Sequence, residues 1–147
     1  MFRDLARLTF ALPLAACGGG GSEPIAPPTF EIRVVAGAGV TDTVRARLAQ
    51  PLIVEVLANG KPASGIVVRF ESLRTPGPPN LPGVLLSAPA PIYFTDLGDV
   101  TTAQDRRASV IVQMGERAAA TGVEITNRPL GLTATAQFTV LPGNTAN

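Results

Sequence analysis

Cys17 is the single cysteine of the 147-residue chain, and it stands where the apolar run Leu8-Thr9-Phe10-Ala11-Leu12-Pro13-Leu14-Ala15-Ala16 gives way to glycines. A thiol reacts as its thiolate, so the chemistry offered at this position is modification of sulfur. Asp96, Asp99 and Asp105 fall close together and are the residue type of an oxygen-ligand calcium site. Their spacing matches no EF-hand loop, and loop aspartates ordinarily accept backbone N–H bonds, so no metal site is assigned. Lys61 and Ser64 are the residue types of a Ser–Lys dyad, but a turn accounts for both. Carboxylate-only glycoside hydrolysis needs two acids facing each other across a cleft, and the sequence singles out no such pair. Tyr93 and Phe94 are neighbours, so in an extended segment they point to opposite sides. One of them is then a candidate ligand contact. The chain has no His, which excludes Ser-His-Asp and Cys-His catalysis, histidine-ligated zinc and histidine pH sensing. One cysteine also excludes an intrachain disulfide and a multi-cysteine metal centre. No catalytic residue and no cofactor is expected.

The elements around Cys17 form an address. Arg3 and Arg7 precede the apolar run, the order of an export signal. The run is about half of the ~20 residues needed to span a bilayer, and Pro13 breaks a helix within it. Leu14-Ala15-Ala16-Cys17 resembles the lipobox of bacterial lipoproteins, which is Leu, two small residues and Cys. That resemblance implies diacylglycerol on the Cys17 sulfur, cleavage between Ala16 and Cys17, and a membrane anchor. Acyl chains contribute about 0.8 kcal/mol per buried CH₂, so two or three hold a protein stably. Gly18 occupies the position where Asp commonly retains such proteins at the inner membrane, so the resemblance implies the outer membrane. Asp4, within the charged region, departs mildly from the pattern.

Residues 1–16 are therefore expected to be a signal peptide and 17–29 an acylated tether. Gly18 to Gly21, then Ser22-Glu23-Pro24-Ile25-Ala26-Pro27-Pro28, bury too little apolar surface to offset their ordering entropy. A dozen such residues reach roughly 20 Å by flexible-chain scaling. Without Arg3, Arg7 and Asp4, the twelve basic and eleven acidic residues become ten and ten, a net charge of zero. Nucleic-acid binding needs a basic stripe to neutralise phosphates, and none is present.

From Phe30 onward the pattern is β. Leu52, Val54 and Val56 share one face; so do Ile66, Val68 and Phe70, with Arg69 and Glu71 opposite. Ala108, Val110, Val112 and Met114 alternate with Ser109, Ile111 and Gln113. The clearest alternation is Leu132, Ala134, Ala136, Phe138 and Val140 against Thr133, Thr135, Gln137 and Thr139. Phe30–Val35, Val84–Ser87, Ile92–Thr95 and Gly122–Thr126 are shorter candidates. Glu116–Ala120 is expected to be one helical turn, and the proline-rich Thr75–Gly83 a long loop. About seven strands with Gly/Pro turns predict an all-β chain, one immunoglobulin-like sandwich over residues 30–142, with 143–147 as a tail.

The segment Asn59-Gly60-Lys61-Pro62-Ala63-Ser64-Gly65-Ile66-Val67-Val68-Arg69-Phe70 resembles the invasin/intimin-type bacterial immunoglobulin-like domain. Its hallmark, Asn-Gly-x-Pro-x-x-Gly-x-x-Val-x-Phe, is met at every fixed position. Asn59-Gly60 suits a left-handed tight turn, Pro62 stiffens the crossing between sheets, and Gly65 readmits the chain as a strand. The family's second segment, Thr-Asp-x-x-Gly-x-Ala, has Ala103 for its Asp and Arg106 for its Gly, so this turn is expected to be rebuilt. The resemblance covers about residues 30–142. It implies a non-catalytic interaction, structural or adhesive module; with the lipid that the lipobox implies on Cys17, a lone module is expected to dock on an envelope protein through an open sheet edge. The alternatives are a small-ligand or carbohydrate carrier and, further off, a carboxylate-only enzyme. With the sequence ending at Asn147, a single module is expected.

Overall fold

The computed structural model of the chain describes residues 20–144. The alternation just outlined produces ten strands and no helix among them. One sheet contains β1 (Phe30–Ala36), β3 (Leu52–Ala58), β4 (Lys61–Pro62), β6 (Val84–Ser87) and β8 (Arg107–Met114), in the order β1-β3-β8-β6 with β4 beside β3. The other contains β2 (Thr41–Thr43), β5 (Val67–Ser72), β7 (Leu97–Thr101), β9 (Ala119–Asn127) and β10 (Leu132–Leu141), in the order β2-β10-β9-β5-β7. This is an immunoglobulin-like β-sandwich. One detail departs from the usual succession: after β5 the chain visits the first sheet as β6 before returning to the second as β7.

The inward residues of both sheets form one core. Leu52, Val54, Val56, Val68, Phe70, Val84, Val110, Val112, Val123 and Ile125 are fully buried, and Met114, Phe138 and Val140 nearly so. Antibody domains place a tryptophan and a disulfide between their sheets. Here aliphatic side chains and two phenylalanines fill that space, as a chain without Trp requires. β1 leaves the first sheet at Gly37, whose φ is +85° and whose absent Cβ would collide with the Pro51 carbonyl oxygen. Only glycine satisfies both conditions. The chain then joins the second sheet as β2, parallel to β10.

Several local expectations need correction. Ile92–Thr95 is not a strand: Pro89 and Pro91 stand just before it, and the Tyr93 amide is taken by Ser87 Oγ at 2.7 Å rather than by a neighbouring strand. Only Thr95 bridges, exchanging bonds of 2.7 and 2.8 Å with Leu86. The strand forms two residues later, as β7, where Asp99 lies opposite Arg69 on β5 and their side chains pair. Glu116–Ala120 contains no helical turn, because Ala119 and Ala120 pair with Val140 and Thr139 and extend β9 past the expected Gly122 start. The short β2 and β4 carry no alternation of their own and exist because β10 and β3 template them.

Candidate functional site

Strand direction divides the turns between two poles. The chain enters where Thr29 and Asn59 meet: the Asn59 amide donates to Thr29 O at 2.8 Å, and the Thr29 amide donates to Asn59 Oδ1 at 3.0 Å. At this entry pole Asn59 and Gly60, with φ of +50° and +77°, close the β3–β4 hairpin as an Asn-Gly turn. Pro62 sits in β4, after which the chain crosses between sheets. The Ala63 amide holds Val56 O at 2.8 Å, and Gly65, at φ +75°, donates to Thr102 O at 2.8 Å. Thr102 Oγ1 then accepts the Ile66 amide at 3.0 Å. Asn59, Gly60, Pro62 and Gly65 are thus all spent on backbone geometry. Lys61 and Ser64 are both exposed, with no hydrogen bond joining them among the described residues.

The second turn at this pole is built by Ala103, Asp105 and Arg106. Arg106 adopts φ +66°, the left-handed conformation that a glycine would take without strain, and donates to Ala103 O at 2.8 Å. Asp105 Oδ1 accepts the Arg107 amide at 3.1 Å and completes the turn. The β9–β10 hairpin closes the same pole through Leu130 N to Asn127 Oδ1 at 2.8 Å, with Gly131 at φ +66°.

Each aspartate of the suspected calcium cluster has a separate partner. Asp96 pairs with Arg74 at 2.6 Å, Asp99 takes Arg69 through both oxygens at 2.8 and 3.0 Å, and Asp105 caps its turn. The Arg69 hydrogen bond holds the Asp99 carboxyl below its ordinary pKa against the opposing pull of desolvation, with Arg69 and Arg128 charges adding to the effect. Among the described residues no three acid ligands converge. Sequence reasoning missed Glu55, 7% exposed on the outer face of the first sheet. It lies between Arg33 on β1 and Arg107 on β8, which reach its two oxygens at 2.8 and 3.2 Å. The Arg33 hydrogen bond leads in lowering its pKa, desolvation opposes, and Arg107 adds to the lowering. Its only signal in the sequence was a charge inside an otherwise apolar strand.

Tyr93 is 78% exposed, whereas Phe94 is partly covered, with the Arg47 guanidinium 5.8 Å from its ring centre. The same loop contributes Pro89 to an open groove of about 620 Å³, lined also by Arg47, Leu48, Pro51, Ser109 and Ile111. The groove offers two hydrophobic walls and a single cation, with no paired carboxylate on its lining.

The far pole holds what the sequence concealed. The proline-rich loop Arg74–Gly83 is drawn into a fixed form by Arg117, whose guanidinium donates to the carbonyls of Pro76, Gly77 and Pro78 at 3.0, 3.4 and 3.1 Å. The buried Thr75 donates its amide to Leu81 O at 2.9 Å, and Arg74 is tied to Asp96. Pro76 to Asn80 form an exposed tip. Gly83 and Gly115 pack the base of the loop against Thr121 and the β8–β9 connection. The chain leaves at this same pole after Leu141.

Ala16 and Cys17 lie outside the described residues, as does the apolar run. Residues 20–29 form no strand or helix and are exposed, Ile25 to 97%, until Thr29 meets Asn59. Among the described residues no helix is long and apolar enough to cross a membrane. Comparison with protein-family models, curated proteins and solved structures finds no match for this chain.

Proposed function

We propose that this chain is an exported lipoprotein, acylated on Cys17 and held at the cell envelope, outer membrane favoured. Its sandwich serves as a non-catalytic protein-interaction or structural module. The observation that carries this reading is the polarity of the domain. The segment following the lipobox-like Leu14-Ala15-Ala16-Cys17 enters at one pole, and the exposed tip Pro76–Asn80 stands at the other, fixed by Arg117. A tip ordered before binding loses little conformational entropy when a partner arrives. On this reading the envelope partner meets the far pole, away from the anchor. Two measurements test the reading in intact cells. Labelled palmitate enters the wild-type chain and not Cys17→Ser; equal labelling removes the anchor. A photo-crosslinker at Asn80 captures a discrete protein adduct, and one at Gln104, on the entry pole, does not; capture from Gln104 alone removes the far-pole partner.

A second reading, a small-ligand or carbohydrate carrier, draws on the exposed Tyr93 beside the groove of Arg47, Pro51 and Ile111. Titration with glycans while following Tyr93 fluorescence tests it; an unchanged spectrum at saturating sugar dismisses it.

A further inference from the structure

The five ion pairs of the described residues use Arg33, Arg45, Arg69, Arg74 and Arg107. Arg47 lies over Phe94 and Arg117 is spent on loop carbonyls. Lys61, Arg106 and Arg128 likewise have no carboxylate in salt-bridge contact and, unlike Arg47 and Arg117, no other side-chain partner among the described residues. All three are exposed, and all three stand at the entry pole, each on a different turn. Lys61 follows the Asn59-Gly60 turn, Arg106 is on the β7–β8 turn and Arg128 on the β9–β10 turn. Arg106 keeps its charge at a φ of +66°, where glycine would be less strained. The acids nearby are Asp105, occupied with the Arg107 amide, Asp99, which faces Arg128 while bound to Arg69, Glu31 on β1 and Glu23 in the incoming segment. The Arg33–Glu55–Arg107 ladder adds one further net positive charge just above the pole.

We infer that this pole rests on the phosphate headgroups of an anionic membrane, with Lys61, Arg106 and Arg128 as its contact points. The inference depends on the anchoring proposed above, because attachment makes the contact intramolecular. A reach of roughly 20 Å keeps the pole within a few Debye lengths of the surface, so a weak attraction fills the docked orientation. Three cations on three turns form a base rather than a single point. They stand the strands upright, so the far pole faces away from the bilayer.

The test uses the acylated mature protein in vesicles, where the Cys17 sulfur is blocked and one added cysteine is the sole reactive thiol. Gln104→Cys reports on the entry pole and Asn80→Cys on the far pole, each read by its rate of reaction with a polar maleimide. In vesicles of phosphatidylcholine mixed with phosphatidylglycerol, Gln104→Cys reacts about five-fold more slowly than in phosphatidylcholine alone, a factor set by one net cation near the surface. High salt restores the rate, and Asn80→Cys reacts equally in both. Adding Lys61→Gln and Arg128→Gln to Gln104→Cys removes the protection while the circular dichroism spectrum stays β-type. Equal rates for Gln104→Cys in the two vesicle types overturn the orientation and leave the anchor standing. Equal protection at both positions overturns it as well. Mass spectrometry of the N-terminal peptide is read first: a chain without acyl groups ends the anchoring reading and the orientation together.

Discussion

The two poles of the sandwich are built on different principles. At the entry pole three turns are closed by residues within a few positions of one another, Asn59 with Gly60, Asp105 with Arg106 and Arg107, and Asn127 with Leu130 and Gly131, while Thr29 with Asn59 and Gly65 with Thr102 add backbone bonds from further away. At the far pole the decisive contacts come from distant parts of the chain. Arg117 reaches back to Pro76, Gly77 and Pro78, Arg45 reaches Glu116 at 3.0 Å, and Gly83 lies beneath Thr121. A pole of local turns tolerates substitution one residue at a time, at the cost of a single backbone conformation. A pole of long-range contacts fails by steric collision and takes its neighbours with it.

Glycine substitutions expose the difference most sharply. Gly83→Ala would place a Cβ 2.5 Å from the Thr121 Cβ and 3.0 Å from Leu73 O. We expect a loss of about 3 kcal/mol in a urea titration, the upper range for overpacking a filled site. Gly60→Ala meets nothing nearby and costs only its φ of +77°, about 1 kcal/mol. Equal losses for the two would erase the contrast between the poles.

The pH response is the next effect in size and belongs to the entry half. The folded-state pKa of Glu55 is lowered, so its stabilisation is fully present above the ordinary value of 4.5 and is lost as pH falls through the folded-state value. Glu55→Gln is expected to lower the melting temperature at pH 7 by less than Gly83→Ala does. The gap between Glu55→Gln and wild type then narrows as pH drops below 4.5, because the wild-type carboxyl protonates there. A gap that stays constant down to the lowest pH would show that the Arg33–Glu55–Arg107 ladder contributes nothing as a charge.

The smallest effect has the opposite sign. Arg106→Gly relieves a left-handed arginine at about 1–2 kcal/mol and adds unfolded-state entropy at about 0.5–1, a net gain of roughly 0.5–1 kcal/mol. Chemical denaturation reads the gain directly, and a destabilised variant would mean that the Arg106 side chain holds the turn. The same variant removes one of the three cations proposed to face the headgroups, so stability and membrane orientation should move in opposite directions.

The contrast also explains what could be read in the sequence. Period-two alternation located β3, β5, β8 and β10, since burial of one face is written into adjacent residues. The left-handed Asn59 and Gly60 were legible for the same reason. β7 was not: Leu97-Gly98-Asp99-Val100-Thr101 has weak strand character and owes its pairing to Arg69, thirty residues earlier. Arg117 looked like part of a helical turn because its three carbonyl partners lie 39 to 41 residues away. Glu55 is buried only because strands on both sides supply arginines. In these three misses the deciding partner lay beyond any local window.

β2 and β10 run parallel, Thr41 beside Thr139 through Thr43 beside Leu141, and the ordered chain enters and leaves at opposite ends of the strands. Traction between those ends loads this short ladder lengthwise, so its hydrogen bonds must give way together instead of opening one by one like a zipper. A domain pulled from above while its base is fastened below would meet that force with its strongest geometry.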